Sequence, residues 1–216
     1  DINVLYGSTE AEPISHIHRQ AITEADRQRT ANGKGLLVGK TAPEAEVRVI
    51  RDQWGHPLSP GSESEWEAMT CGTEQVGEIV VAGEHVIPGY LDGEGDGENN
   101  FHLAGKVWHR TGDAGYFDQE GRLWLMGRCA AKFKIDADWV YPFALECAAV
   151  ETFDIPIAAC CESSGEPTLF LPRDFDGRLP ATFTCGPITI QNVRREKIPL
   201  DKRHNAKVDY AKLKAS

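Results

Sequence analysis

The chain has 216 residues, 41% hydrophobic and 26% charged, the balance of a globular protein with room for one or two domains and a buried core. Its net charge of −10, spread along the sequence, argues against a nucleic-acid partner, because phosphate binding needs a basic face. Nothing apolar approaches the ~20 residues of a membrane span, and the six cysteines form no CxxC pair, so they read as reduced thiols of a cytoplasmic protein.

The N-terminus has no basic or signal-like stretch and starts abruptly inside an apolar strand, 2–6, so the chain is expected to be cut from something longer. That strand runs into Gly7-Ser8-Thr9-Glu10. Such a turn can offer backbone N–H groups and a hydroxyl to a phosphate, and Glu10 a carboxylate to Mg2+. A strand-to-loop turn with a capping Thr fits the same residues. His16 and His18 would share a strand face, but no third ligand accompanies them. Residues 23–30 are polar and helix-prone, and Asn32-Gly33 would end that helix. The GKGLLVGK segment that follows lacks the spacing of a phosphate loop. Val47 and Val49 alternate as a strand should, 55–75 reads as an exposed loop, and GEIVVAG at 77–83 as a buried strand. A loop rich in Gly and acidic residues covers 92–100.

A strand is expected to end in Arg110-Thr111-Gly112-Asp113. Strands 114–117 and 122–126 follow, joined by the turn Asp118-Gln119-Glu120-Gly121. Asp113 then stands at the mouth of this hairpin and Arg128 at its far end. A carboxylate and a guanidinium so placed suit a ligand with hydroxyls, such as a ribose; a surface hairpin with solvated charges is the plainer alternative. Residues 1–126 read as mainly β with one helix, without sustained βαβ alternation. Beyond Arg128 the pattern changes to α+β. A hairpin over 131–135 and 139–141 precedes a helix from Pro142 to about 152, with Ala144, Leu145, Ala148 and Ala149 on one side. Strands are expected at 155–161, 168–171 and 188–193, and a final helix at 208–214.

YGSTE at 6–10, GEIVVAG at 77–83 followed by Tyr90, HRTGD at 109–113, GRLWLMGR at 121–128 and a lysine near the C-terminus stand in a familiar order. In it the chain resembles the adenylate-forming enzymes, which include acyl-CoA synthetases, peptide-synthetase adenylation domains and luciferases. The resemblance covers nearly the whole chain and implies an α+β fold. A β-rich partial barrel would occupy 1–127 and a small, mobile α+β lid 128–216, hinged at Ala130. It implies a reaction in which a small-molecule carboxylic acid attacks ATP, giving acyl-adenylate and pyrophosphate, before the acyl group passes to CoA or a phosphopantetheine carrier. By the family's pattern Tyr6 stacks on adenine, Gly7 lies in the nucleotide-binding turn, Thr9 meets the α-phosphate and Glu10 ligates Mg2+. Asp113 and Arg128 take the ribose, and Lys207 sets its ammonium between carboxylate and α-phosphate. Lys134 is the thiol-channel candidate, and an acyl-carrier protein the implied macromolecular partner.

The chain departs from the pattern in places. The family's Ser/Thr/Gly-rich phosphate loop lies upstream of its first motif. The chain therefore reads as the C-terminal part of such an enzyme, inactive alone. Ala130 stands for the usual Asp or Lys, Ala137 for Gly in the Lys134 loop, and Ala206 for Gly before Lys207. The RHNAK form is similar to enzymes of bacterial olefin synthesis that close a β-hydroxy acid to a β-lactone. A non-catalytic binding module that kept the fold is the alternative from another class. Residues 173–187 are too short and irregular for the helix the family's lid carries there.

Overall fold

The computed structural model describes residues 2–89, 95–201 and 207–214. Its contacts divide the chain into two compact units, Asp1–Glu24 with Leu36–Ala130, and Ala25–Gly35 with Ala131–Ser216. The fold is mixed α+β, a sheet-rich body with few helices.

The first unit is an antiparallel eight-stranded sheet. Its strands are β1 (Asn3–Ser8), β2 (Ala11–His18), β3 (Leu36–Thr41), β4 (Glu46–Ile50), β5 (Gly77–Ala82), β6 (Asn100–Leu103), β7 (Lys106–Phe117) and β8 (Leu123–Arg128), in the order β1-β2-β3-β8-β7-β5-β4 with β6 on β7. β1 and β2 form a hairpin whose tip is Thr9-Glu10, so the first strand runs two residues past the expected 2–6. β2 crosses to β3 through Ser15↔Thr41 and His16↔Lys40. There Gly39 has φ +96°, and a Cβ on it would lie 2.1 Å from the His16 carbonyl, so only glycine permits that approach. One apolar cluster joins Tyr6, Ala11, Ile14, Val49, Ile79 and Leu123.

The 55–75 segment is not simply an exposed loop. It contains α2 (Glu63–Met69), started by Ser62, whose hydroxyl accepts from the Glu65 N–H at 3.3 Å. Ser62 and Glu65 are three apart, as in a capping box. Trp66, 3% exposed, drives the docking: its ring sits 4.9 Å from Trp108 and 5.4 Å from Phe101. A second short helix, α3 (Asp96–Asn99), precedes β6.

In the second unit α1 (Glu24–Ala31), close to the helix expected at 23–30, is tied in by Arg27–Glu151 at 3.7 Å and by the Cys185 thiol on the Ala31 carbonyl. The hairpin β9 (Phe133–Ile135) and β10 (Asp138–Val140) leads into α4 (Pro142–Phe153). Pro142 opens α4 where its missing N–H costs nothing, and Asp154 closes it in the left-handed region. Ala144, Leu145, Ala148 and Ala149 are all buried, as the spacing predicts. β11 (Ala159–Ser163) pairs antiparallel with β12 (Glu166–Pro172), which pairs parallel with β15 (Asn192–Glu196).

The strand expected over 188–193 is two. β14 (Ile188–Ile190) pairs with β13 (Phe183–Cys185) and β15 with β12, so the chain must change partner at Gln191. The last helix, α5 (Tyr210–Lys214), starts later than expected because Val208 is held in a β-bridge with Leu200. All six cysteines are free, and no helix among the described residues is long and apolar enough to cross a membrane.

Candidate functional site

Sequence spacing predicts that β7 ends at Asp113, with Asp113 and Arg128 at opposite ends of the hairpin. Both expectations are corrected by the register. β7 runs unbroken to Phe117, and Asp113 pairs directly with Arg128 on β8, at the open end of the hairpin. The reason is a bulge. Against β5, Val80 pairs with Arg110 and Glu78 with Ala114, so 111–113 face the single residue Ile79. The Thr111 hydroxyl donates to the Ile79 carbonyl at 2.8 Å and accepts the Asp113 N–H at 3.0 Å. Gly112 takes φ +67° inside this bulge, and a Cβ there would meet the Trp54 ring at 2.9 Å. A bulge of this kind re-aims a side chain without ending the strand.

The side chain so aimed is Asp113. Its Oδ2 accepts the Tyr6 hydroxyl at 3.0 Å, and its Oδ1 accepts from Arg128 Nη1 at 3.0 Å. Arg128 also donates to the Thr111 carbonyl at 3.2 Å. Burial, and next the Asp113 charge, push the Tyr6 hydroxyl well above its ordinary pKa, so it stays a donor. The Tyr6 ring is packed in the core at 7% exposure and reaches the site through its oxygen. Arg128 is 60% exposed and faces solvent, while Asp113, 14% exposed, keeps only a small accessible edge beside it.

Thr9 and Glu10 sit together at the β1–β2 tip, and the Glu10 carbonyl accepts the Ile87 N–H at 2.9 Å. Glu10 Oε2 lies 4.0 Å from His109 Nε2, while His109 Nδ1 lies 3.0 Å from Asn100 Oδ1. Burial lowers the His109 pKa against the opposing pull of Glu10. Nothing in the sequence singles out His109 beyond its place in HRTGD. Among the described residues no three His, Cys, Asp or Glu side chains gather as a metal site. A lone carboxylate still suits Mg2+, which takes one or two from a protein and the rest from phosphate and water. His16 is in β2, and His18 Nδ1 accepts the Gln20 N–H at 3.2 Å, a capping contact.

Arg110 is the buttress behind the bulge. Its guanidinium pairs with both oxygens of Glu78, at 2.9 and 2.6 Å, with side-chain exposures of 2% and 0%. It also donates to the His56 carbonyl at 2.6 Å and lies 5.2 Å from the Trp54 ring.

In the second unit Lys134 is exposed on β9, its ammonium 4.9 Å from the ring of Trp139, which is itself 55% exposed. The left-handed residue of that hairpin is Asp136, φ +54°, and not Ala137, so the backbone here does not demand glycine at 137. Ala130 lies exposed in a 3-10 turn, Cys129–Ala131. Lys207 is exposed, and its carbonyl accepts the Asp201 N–H at 2.8 Å. Tyr90 and the Ala206 departure lie outside the described residues.

No protein-family model matches the chain. It is 34% identical over 130 residues to the olefin beta-lactone synthetase of Xanthomonas campestris, covering 57% of this chain and 22% of that protein. It is 32% identical over 151 residues to the indoleacetate–CoA ligase of Aromatoleum aromaticum, covering 70% of this chain and 25% of the ligase. Among solved structures, the amide bond synthetase McbA of Marinactinospora thermotolerans superposes with a TM-score of 0.68 at 25% identity, over 97% of this chain and 40% of that one. The chain thus spans a quarter or less of the two curated relatives.

Proposed function

The chain belongs to the adenylate-forming superfamily, and from that premise we propose that it is the C-terminal part of an ATP-dependent ligase that activates a carboxylic acid as its acyl-adenylate. The acyl group would then pass to CoA or a carrier thiol, with an acyl-carrier protein as the macromolecular partner. The observation that carries this reading is the Asp113 carboxylate, fixed by Tyr6 and Arg128 and reached by solvent along one edge, 14% of its side chain. A carboxylate has about four lone-pair sites and takes a vicinal diol through charge-assisted hydrogen bonds, roughly 1.5–3 kcal/mol each.

In this reading Asp113 and Arg128 hold the ribose, and Thr9 holds the α-phosphate from the β1–β2 tip beside Glu10. Glu10 would hold Mg2+, whose charge screens the phosphate oxygens when it is bound. Lys207 is assigned the ammonium that offsets the negative charge developing during adenylation. Lys134 remains the candidate for the thiol path. The six free cysteines support a reducing compartment, the cytoplasm.

The test is Lys207→Ala in the longer enzyme that this reading requires. Carboxylate-dependent pyrophosphate exchange should fall by about 10²–10³, the usual cost of one preorganised contact to developing charge, with the fold unchanged. Wild-type exchange would overturn the assignment. The similarity to the olefin beta-lactone synthetase favours a second reading, in which the adenylate of a β-hydroxy acid closes on its own hydroxyl. Supplying ATP with a β-hydroxy acid, or with a fatty acid plus CoA, separates the two by product.

A further inference from the structure

One buried carboxyl has no part in the reading above. Glu146 on α4 is 6% exposed, and its Oε1 accepts two hydrogen bonds, from the Cys160 N–H on β11 and from the Tyr210 hydroxyl, each at 2.7 Å. Tyr210 is the first residue of α5, a helix of five residues, too short to hold itself together in water. α5 is docked by Leu213, fully buried in a small cluster with Ala159, Cys161 and Phe170, and by the hydroxyl bond to Glu146, 64 residues away in sequence. The same segment is held upstream by the Leu200↔Val208 bridge and by the Asp209 N–H on the Pro199 carbonyl, 2.8 Å. Lys207 sits next to that bridge, three residues before Tyr210.

We propose that Tyr210 and Glu146 are positioning residues for Lys207: their bond fixes where α5 begins, and so the backbone from which the Lys207 ammonium is presented. The proposal rests on the assignment of Lys207 above. Its chemistry is specific about which substitutions matter. Burial keeps the Tyr210 hydroxyl protonated and donating. Glu146 accepts through one oxygen, so a glutamine carbonyl can take over the same two bonds. Tyr210→Phe and Glu146→Leu remove the bond; Glu146→Gln keeps it.

The experiment measures pyrophosphate exchange and amide hydrogen exchange over 207–214 in the longer enzyme carrying each variant. Tyr210→Phe and Glu146→Leu should lower kcat by about tenfold or more, with KM for ATP within about twofold of wild type, and speed amide exchange at 207–209 by about tenfold. Glu146→Gln should retain both properties. A Tyr210→Phe enzyme with wild-type kcat and amide protection overturns the clamp, and so does a Glu146→Gln enzyme as impaired as Glu146→Leu. A Lys207→Ala enzyme with wild-type pyrophosphate exchange overturns the Lys207 assignment itself, and the amide-exchange readout tells that failure apart from a failure of the clamp.

Discussion

Asp118 in the first unit and Glu146 in the second are both buried carboxylates, 4% and 6% exposed, yet they depart from their ordinary pKa values in opposite directions. Burial pushes both up. At Asp118 it is outweighed by the Trp124 indole N–H, the Arg122 amide and the Arg122 guanidinium, each at 2.9 Å, and the carboxyl is held below its usual range. At Glu146 burial wins over the Tyr210 hydroxyl and the Cys160 N–H, and the carboxyl is pushed to about 7. The Trp124 indole first, then the Arg122 amide and guanidinium, together outweigh the burial of Asp118, whereas two neutral donors do not outweigh the deeper desolvation of Glu146. One acid is therefore a fixed anion that staples a turn. The other is a carboxyl that changes charge near neutral pH.

The largest effect should come from breaking the staple. Asp118→Ala removes the carboxylate that the Trp124 indole, the Arg122 guanidinium and the backbone N–H groups of Glu120 and Arg122 all donate to, leaving Arg122 its longer contact with Glu120 at 3.3 Å. It should cost about 3–5 kcal/mol, read as a lowered denaturant midpoint at unchanged slope. A cost under about 1 kcal/mol would mean that these donors find water instead. Because the folded pKa of Asp118 is depressed, its contribution is present above the unfolded value of 3.8 and lost as pH falls through the folded value.

Glu146 should show the reverse sign. Its folded pKa is raised from 4.5 to about 7, so its contribution is fully present below pH 4.5 and lost as pH rises through about 7. Over that window the loss is on the order of 3 kcal/mol, since each pKa unit is 1.36 kcal/mol. The other charged groups at this corner act on its thiols: Glu151 on Cys147, and Glu162 and Lys214 on Cys161. Thermal melts between pH 5 and 8 should therefore slope downward in the wild type and lie nearly flat in Glu146→Gln. Parallel slopes in the two proteins would place the pH dependence elsewhere.

These two acids also mark where sequence reasoning succeeds and stops. The turn at 118–121 is legible because Asp and Gly stand where a tight connection needs them, and Asp118 makes its bonds within six residues of itself. Helix α4 is legible from Pro142 and the spacing of its apolar residues. The burial of Glu146 is not, because its partner comes from Tyr210 at the far end of the chain. The Asp113–Arg128 pairing was half legible. Both residues stand out in their motifs, but the bulge at 111–113 and the register shift between Ala114 and Gly115 decide that they meet. Helix α2 was hidden by a Gly-, Pro- and Ser-rich composition that masks one capping pair and one buried tryptophan.

The smallest stability effects should fall on the pair that carries the proposed function. Arg128 is 60% exposed, so Arg128→Met should change folding stability by about 0.5 kcal/mol, less as salt is raised. Asp113→Asn keeps an acceptor for Tyr6 and should cost about 1 kcal/mol. In the longer enzyme the same Asp113→Asn should weaken ATP binding by about 10- to 100-fold, because a neutral amide loses the charge-assisted grip on two hydroxyls. The contrast with Asp118 is the point of the measurement. A carboxylate that staples the fold reports its loss as stability, whereas one left open to a ligand reports it as affinity. An Asp113→Asn protein that loses several kcal/mol of stability while still binding nucleotide would reassign Asp113 to the fold.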